Sequence, residues 1–121
     1  MKILVVDDEK DVQVLFEQRF RKEIRNNEME FAFAYSGEDA LKYLNQMHEA
    51  VLILSDINMP GMTGLEMLPK VRELRPEVPI IMITAYGDAD NYNTAMKLGA
   101  DDFLTKPLEF SLLKEKLKAI Q

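Results

Sequence analysis

The chain has 121 residues, 47% of them hydrophobic and 30% charged, which is the size and composition of one globular domain that can bury its own core. It contains no cysteine, and this excludes disulfide bonds, thiol catalysis and a cysteine-based zinc site. The formal net charge of −6 argues against direct nucleic-acid binding, and no apolar stretch reaches the length of a signal-peptide core or a membrane span, so we expect a cytoplasmic protein without a membrane partner.

Five short segments predict the strands of a β-sheet. Three of the four strong ones are continuous apolar runs, which is typical of parallel strands covered on both faces. The strong segments are 3–6, 31–35, 51–54 and 80–83, and a weaker fifth is 102–105.

Apolar residues at helical spacing follow each predicted strand. The segment 88–98 contains several poor helix formers, but its apolar stripe and the closing Gly99 still favour a helix. The β-α order repeated five times predicts one α/β domain over residues 1–121, a doubly wound five-stranded parallel sheet with helices on both faces. The stripes are Val12, Leu15, Phe16, Phe20 and Ile24; Ala40, Leu41 and Leu44; Leu65, Leu68, Val71 and Leu74; Ala89, Tyr92, Ala95 and Met96; and Leu113, Leu117 and Ile120.

Polar side chains begin where the predicted strands end. The first strand ends at Asp7-Asp8, the third at Asp56, the fourth at Thr84 and the fifth at Lys106. Ligands of such sheets bind outside the carboxyl ends of the strands. We therefore expect these side chains to converge on one edge of the sheet.

The three carboxylates at this edge predict a cation site. At a separation of about 4 Å and an effective dielectric near 20, one like-charged pair costs roughly 4 kcal/mol, so Asp7, Asp8 and Asp56 favour a cation among them. Ligands that are all hard oxygens select Mg²⁺, with Mn²⁺ as a substitute, over zinc or copper. Because Mg²⁺ is commonly held by carboxylates together with phosphate oxygens, a phosphoryl group is the expected guest.

The other groups at the edge fit aspartyl-phosphate chemistry. Lys106 supplies a positive charge for one phosphate oxygen, and Thr84 a hydroxyl that can donate to another. In this chemistry a carboxylate attacks phosphorus in line while cations neutralise the equatorial oxygens. Asp56 is the expected nucleophile, because it stands alone at the middle strand before the loop 57–64, which Pro60 stiffens and two glycines bend.

Each of these residues also has an ordinary explanation when it is taken alone. Asp8 or Asp11 could cap the first helix, and Lys106 before a proline is by default a surface residue. The coincidence of all the groups at one edge favours the functional interpretation.

In order and spacing, these residues resemble the receiver domain of two-component response regulators, and the resemblance runs from Lys2 to about Ile120. It implies the strand order 2-1-3-4-5 of flavodoxin-like sheets. The matching motifs are Asp7-Asp8, Asp56 at the start of Asp-x-x-Met-Pro-Gly-x-x-Gly, Thr84-Ala85, Gly99-Ala100-x-Asp102-Phe103 and Lys106-Pro107.

The resemblance implies a role for each site residue. Asp56 is the phosphoacceptor, and Asp7 and Asp8 hold Mg²⁺ together with Asp56 and the backbone carbonyl of Asn58. Lys106 contacts the phosphoryl group.

It also implies a switch. Phosphorylation draws Thr84 inward to contact the phosphoryl group, and Phe103 then changes rotamer and repacks the face formed by the fourth predicted helix, the fifth strand and the fifth helix. Asn58 and Tyr86 tune the lifetime of the phosphoryl group.

Such a domain catalyses only its own phosphorylation and dephosphorylation. It takes its phosphoryl group from a phosphohistidine of a sensor histidine kinase or a histidine phosphotransfer protein, and it acts on a downstream protein target or on its own output domain. The chain stops after the last predicted helix, so we expect either a single-domain regulator or the receiver domain of a longer one whose output domain is not in this chain. The cognate kinase, the stimulus and a phosphorylation-dependent homodimer are left open.

Three other classes of protein fit the sequence less well. A haloacid-dehalogenase-type phosphatase needs a second Asp two residues after the nucleophile, where this chain has Asn58. A nucleotide-binding module needs a G-x-G-x-x-G or G-x-x-x-x-G-K-[ST] loop, and the chain has neither. A receiver-like interaction module without phosphorylation is disfavoured by the intact acidic set, Thr84 and Lys106.

The one cluster of basic residues lies at positions 19–25 and is interleaved with Glu17 and Glu23. This alternation predicts a solvated helix face.

Overall fold

The computed structural model describes residues 1–49, 51–85 and 88–120. Its strands, each within two residues of a predicted segment, are β1 (Lys2–Val6), β2 (Glu30–Ala34), β3 (Leu52–Asp56), β4 (Ile80–Thr84) and β5 (Asp102–Thr105). All neighbouring pairs are parallel and the sheet order is β2-β1-β3-β4-β5, which confirms the expected topology. Val6 pairs with Ser55, so β1 and β3 end side by side in the middle of the sheet.

Six helices connect or follow these strands in the described part of the chain. They are α1 (Asp11–Arg19), α2 (Arg21–Arg25), α3 (Gly37–Gln46), α4 (Gly64–Leu74), α5 (Ala89–Lys97) and α6 (Phe110–Ile120). The predicted weak helix over 88–98 is thus present as α5.

The first predicted helix is divided into α1 and α2 at Phe20, whose backbone (φ −110°, ψ 21°) leaves the helical region. Helical hydrogen bonds continue through the break, since the Phe20 N–H donates to the Phe16 carbonyl and the Ile24 N–H to the Phe20 carbonyl, both at 2.9 Å. The Phe20 ring is fully buried, with its centroid 4.9 Å from that of Phe31 and 5.9 Å from that of Phe110. These aromatic contacts keep Phe20 in the core where its backbone departs from the helix.

Alternate residues of the strands face two separate cores. On one face, Leu4 and Met82 belong to the core that α3, α4 and α5 cover. On the other face, Val5 and Ile81 pack with residues of α1 and α6. Every residue of β3 and β4 is buried, which explains why residues 52–54 and 80–83 are continuously apolar rather than alternating, with polar residues only at the carboxyl end of each strand.

Local side chains define the beginnings of three helices. The Ser36 hydroxyl accepts a hydrogen bond from the Asp39 N–H at the start of α3, and Thr63 with Glu66 forms a capping box at the start of α4. Asp88 accepts from the Asn91 N–H at the start of α5. Helix α1 begins after Lys10 without a side-chain cap, so the alternative role of Asp8 or Asp11 as a cap is wrong.

Three large residues of the predicted apolar stripes, and the small Ala89, lie on the surface instead of in the core. Leu15, Leu74 and Met96 are 38%, 45% and 38% exposed. The buried face of α1, α4 and α5 is therefore narrower than the apolar stripe of each of these helices. None of the described helices combines the length and the apolar character that a bilayer crossing requires.

Candidate functional site

Three carboxylates meet at the carboxyl edge of the sheet, as the sequence predicts. Each of Asp7, Asp8 and Asp56 offers an oxygen, and these oxygens lie within 4.8 Å of one another. Asp7 and Asp8 directly follow β1, and Asp56 ends the adjacent strand β3, so the parallel register brings them together. The hard-oxygen donor set and this spacing fit a divalent cation such as Mg²⁺.

Asp56 is the most enclosed of the three, with 2% of its surface exposed. Its Oδ2 accepts a hydrogen bond from the Lys106 Nζ at 2.8 Å, and its Oδ1 accepts one from the backbone N–H of Asn58 at 3.2 Å. The two oxygens of this carboxylate are therefore held in fixed directions by two different donors.

A glycine lies against the backbone of Asp56. A Cβ at Gly64 would collide with the Asp56 carbonyl oxygen and would lie 2.9 Å from the Ile57 Cα. Gly64 also donates its N–H to the Ile57 carbonyl at 2.8 Å. The final glycine of the predicted motif thus permits close approach rather than a bend, whereas Gly61, with φ of 71°, supplies the turn.

Asp7 is 9% exposed, and its Oδ1 accepts a hydrogen bond from the Glu9 N–H at 3.0 Å. Burial raises the pKa of Asp7, and the neighbouring charge of Asp56 adds to this effect. The Glu9 N–H and the Lys106 ammonium oppose the rise but do not cancel it. Asp8, in contrast, is exposed.

Lys106 reaches the site from the end of β5. Its backbone N–H donates to the Thr84 carbonyl at 2.9 Å, which fixes the position from which the side chain extends. Burial works to lower the pKa of Lys106, but the hydrogen bond to Asp56 and the charges of Asp56 and Asp7 raise it above its ordinary value. The ammonium group therefore holds its charge beside the carboxylates.

Thr84 ends β4 and is 1% exposed. Its Oγ1 is buried and has no hydrogen-bond partner among the residues that the structure describes. A buried hydroxyl without a partner is costly, so Thr84 carries a donor ready for a group that enters the site.

Phe103 on β5 is half-buried and packs against Tyr92 of α5, with ring centroids 4.2 Å apart and an interplanar angle of 61°. The two rings and Thr84 line one cavity of about 230 Å³, together with Ala85 and Asp88. The predicted switch residues thus share a space between β4, β5 and α5. Tyr86, predicted to tune the phosphoryl lifetime, lies outside the described residues.

Two features of the site have no signal in the sequence analysis. The sequence predicts Tyr92 only as part of an apolar helix stripe, whereas its ring contacts Phe103, the predicted switch residue. The apolar stripe of the first helix also predicts Leu15 in the core, but Leu15 lines an apolar groove of about 470 Å³ that reaches Asp7 and Lys106. Helical periodicity identifies an apolar face without saying which of its residues another element covers.

Comparisons with known proteins agree with this geometry. The family model described as the response regulator receiver domain matches residues 3–118. The response regulator RppA of Synechocystis sp. is 34% identical over 122 residues, covering 100% of this chain and 50% of the relative. The transcriptional regulatory protein ZraR of Salmonella typhimurium is 38% identical over 118 residues, covering 96% of this chain and 25% of the relative. This chain thus spans half or less of these relatives.

A solved structure of similar shape is a CheY-like response regulator receiver domain protein from Methanospirillum hungatei. It superposes with a TM-score of 0.85 at 31% identity, covering 98% of this chain and 90% of that one.

Proposed function

The chain belongs to the response regulator receiver domain family of two-component signalling, and we propose that it accepts a phosphoryl group on Asp56 from a phosphohistidine. Receiver domains interact with histidine kinases or phosphotransfer proteins and with output partners, and they bind Mg²⁺ at an acidic pocket. The observation that carries the proposal is the Asp56 carboxylate itself, buried at the end of β3 with Lys106 Nζ at 2.8 Å and with oxygens of Asp7 and Asp8 nearby.

The transfer is a displacement at phosphorus. A carboxylate oxygen of Asp56 forms the new bond to phosphorus while the bond from phosphorus to the donor's imidazole nitrogen breaks. The leaving nitrogen retains the electron pair, so the donor histidine is released in its neutral form after protonation. The in-line geometry requires one oxygen of Asp56 to face the donor, which the fixed direction of this carboxylate supports.

Asp7, Asp8, Asp56 and the backbone carbonyl of Asn58 would hold Mg²⁺, with Mn²⁺ as a substitute. The cluster of carboxylate oxygens within 4.8 Å supports this assignment, because like charges so close favour a bound cation. When bound, the cation supplies positive charge that offsets the charge on the phosphoryl oxygens.

Lys106 and Thr84 would bind the transferred group. The Lys106 ammonium, which pairs with Asp56 at 2.8 Å, would transfer this contact to a phosphoryl oxygen. The unpartnered Thr84 hydroxyl would donate to another oxygen, and this would draw the Thr84 side chain toward Asp56.

The inward movement of Thr84 would enlarge the cavity that it shares with Phe103 and Tyr92. Phe103 would then turn into this space and leave its contact with Tyr92, repacking the face formed by α5, β5 and α6. This face is the proposed contact for a downstream protein, for an output domain in a longer protein, or for a second copy of the chain.

The test is incubation of the protein with Mg²⁺ and the small phosphodonor acetyl phosphate, followed by intact-mass analysis and mapping of the modified residue. We expect one phosphoryl group on Asp56, none in Asp56→Asn, and normal labelling in the control Asp39→Asn, which changes an exposed carboxylate of α3. No labelling would support an interaction module without phosphorylation. Rapid turnover of the donor without labelled protein would support a phosphatase.

A further inference from the structure

A groove of about 560 Å³ lies between α1, α2 and α6, and it is lined mainly by cations. Helix α1 starts after the carboxyl end of β1, beside the carboxylate cluster. Helix α2 follows at the opposite end of α1, so the length of α1 separates the two along the chain. The groove and the phosphoryl site share no lining residue. The charged residues of the groove are Arg19, Arg21, Lys22, Arg25 and Lys114, with Glu23 as the one carboxylate.

Glu17 and Glu23 alternate with the cations of residues 19–25 in the sequence, but neither forms an ion pair with one of those cations in the described part of the chain. The Glu23 side chain is 13% exposed, and its Oε2 forms an ion pair with the Lys114 Nζ at 3.0 Å. Burial opposes ionisation of Glu23, but the hydrogen bond from Lys114 holds its pKa below the ordinary value, so this carboxylate is committed to Lys114. Glu17 lines a different groove, beside Met1 and Lys2.

Two of the five cations in the groove lie against aromatic rings, and the other three do not. The Arg19 guanidinium lies 5.3 Å from the ring centroid of Phe110, and the Lys114 ammonium lies 5.2 Å from that of Phe20. The side chains of Arg21, Lys22 and Arg25 are exposed and make no hydrogen bond or ion pair with any other residue in the described ranges. All three lie on the short helix α2, which begins after the break at Phe20.

We propose that this groove binds a short acidic segment of a partner polypeptide. The three free cations present unpaired charge in a concavity, where carboxylates of a partner would complete the ion pairs. A short segment within roughly 8–10 Å of the groove responds to the local positive charge, since more distant charges are screened at physiological salt. A membrane surface or a long duplex would also face the rest of a chain whose formal charge is −6, and would be repelled. The partner that fits this groove is therefore a polypeptide.

The test is a titration of the complete chain with a hexaglutamate peptide, followed by amide chemical shifts and by calorimetry. We expect saturable binding, with shift changes centred on residues 18–26 and on Lys114, and affinity that falls as salt is raised. The double variant Arg21→Glu with Lys22→Glu should bind about tenfold more weakly, because two exposed ion pairs of up to about 1 kcal/mol each are lost. Glutamate suits the first turn of a helix, so α2 should still form.

The matched control is Lys42→Glu with Lys70→Glu, which makes the same change in net charge at exposed residues of α3 and α4. This control should bind the peptide like the unmodified protein. The neutral variant Arg21→Gln with Lys22→Gln gives a second readout and should weaken binding by a smaller factor. A circular dichroism melt of each variant separates lost binding from lost folding.

Four results would overturn the proposal. They are the absence of saturable binding, an equal loss of affinity in the Lys42 and Lys70 control, the same shift changes produced by inorganic phosphate alone, and tighter binding to a DNA duplex or to phosphatidylglycerol vesicles than to the peptide. Phosphorylation of Asp56 is measured separately, so failure here leaves the function proposed above intact.

Discussion

The ammonium group of Lys106 lies 2.8 Å from the Oδ2 of Asp56, a residue 50 positions earlier in the chain. The pair joins the end of β5 to the end of β3 across the intervening strand β4, and it sets one buried carboxylate against a partly exposed cation. Asp7 lies close to this pair. Its charge raises the pKa of Lys106, while the charge of Asp56 raises the pKa of Asp7 and that of Lys106 lowers it.

Lys106→Met keeps most of the side-chain stem and removes the charge. We expect the free energy of unfolding to fall by about 1 kcal/mol at neutral pH, a modest value because water screens the exposed end of Lys106. The pKa of Lys106 is raised in the folded state, so its stabilising contribution is complete below the ordinary lysine value and is lost as pH rises through the raised value. Urea unfolding at a series of pH values checks this, with Lys42→Met as control; an equal loss in the control would contradict it.

Asp7→Asn should increase stability when no divalent cation is present. Its carboxyl group has a raised pKa in the folded state, so the folded protein holds this proton more readily than the unfolded chain, and the contribution of Asp7 falls as pH rises between the ordinary and the raised value. We expect a gain in the free energy of unfolding at pH 7 that shrinks as the pH falls toward the ordinary aspartate pKa, because the ionised carboxylate that burial disfavours is then protonated in both states. Unfolding in a chelator from acidic to neutral pH measures the difference, and a gain independent of pH would argue against this cause.

Magnesium should raise the melting temperature of the protein. A ligand that binds only the folded state at about 100 times its Kd adds about 2.7 kcal/mol. Asp8→Asn should reduce this effect strongly, because Asp8 is an exposed member of the carboxylate cluster, whereas the control Asp90→Asn changes an exposed carboxylate of α5 away from it. Thermal melts with and without the metal provide the measurement. The same shift in both variants would mean that the cluster is not the metal site.

Thr84→Val replaces the unpartnered hydroxyl by a methyl group of similar shape. We expect the unphosphorylated protein to gain about 1–2 kcal/mol, since a buried polar atom without a partner is removed. Thr105→Val, at an exposed position, should change stability by less than about 0.5 kcal/mol. If Thr84→Val were instead destabilising, the hydroxyl would have to be satisfied in solution.

Gly64→Ala should destabilise the protein by about 2 kcal/mol or more, because the added Cβ meets backbone atoms of Asp56 and Ile57 that cannot move independently of the site. Gly37→Ala is the matched control at the start of α3, where the added Cβ meets only the side chain of Met62. Chemical denaturation of the two variants gives the comparison. Equal losses would show that the close approach at Gly64 is relieved by a small shift of the loop.

The fold class and the edge that carries the site follow from local sequence patterns. Runs such as 52–54 and 80–83 are apolar because both faces of the strands are covered, and the first polar groups come at the carboxyl ends of the strands. Parallel strands place their carboxyl ends together, so the convergence of Asp7, Asp56 and Lys106 could be predicted without coordinates.

The division of the first helix at Phe20, the contact of Tyr92 with Phe103 and the role of Gly64 could not be predicted in this way. Each depends on residues far apart in the chain, and periodicity identifies only which face of an element is apolar.

The charge pattern of residues 17–25 also shows that a local sequence pattern does not predict contacts between residues far apart in the chain. By itself, the sequence determined that cations and carboxylates alternate there, and this alternation alone indicates a solvated helix face. Only the tertiary structure decided that Glu23 turns inward to Lys114 and that Glu17 lines another groove. Arg21, Lys22 and Arg25 are thereby left without an ion-pair partner among the described residues. The physical reason is that a side chain's charge acts through distance and burial, which are set by packing against α6 and not by order along the chain.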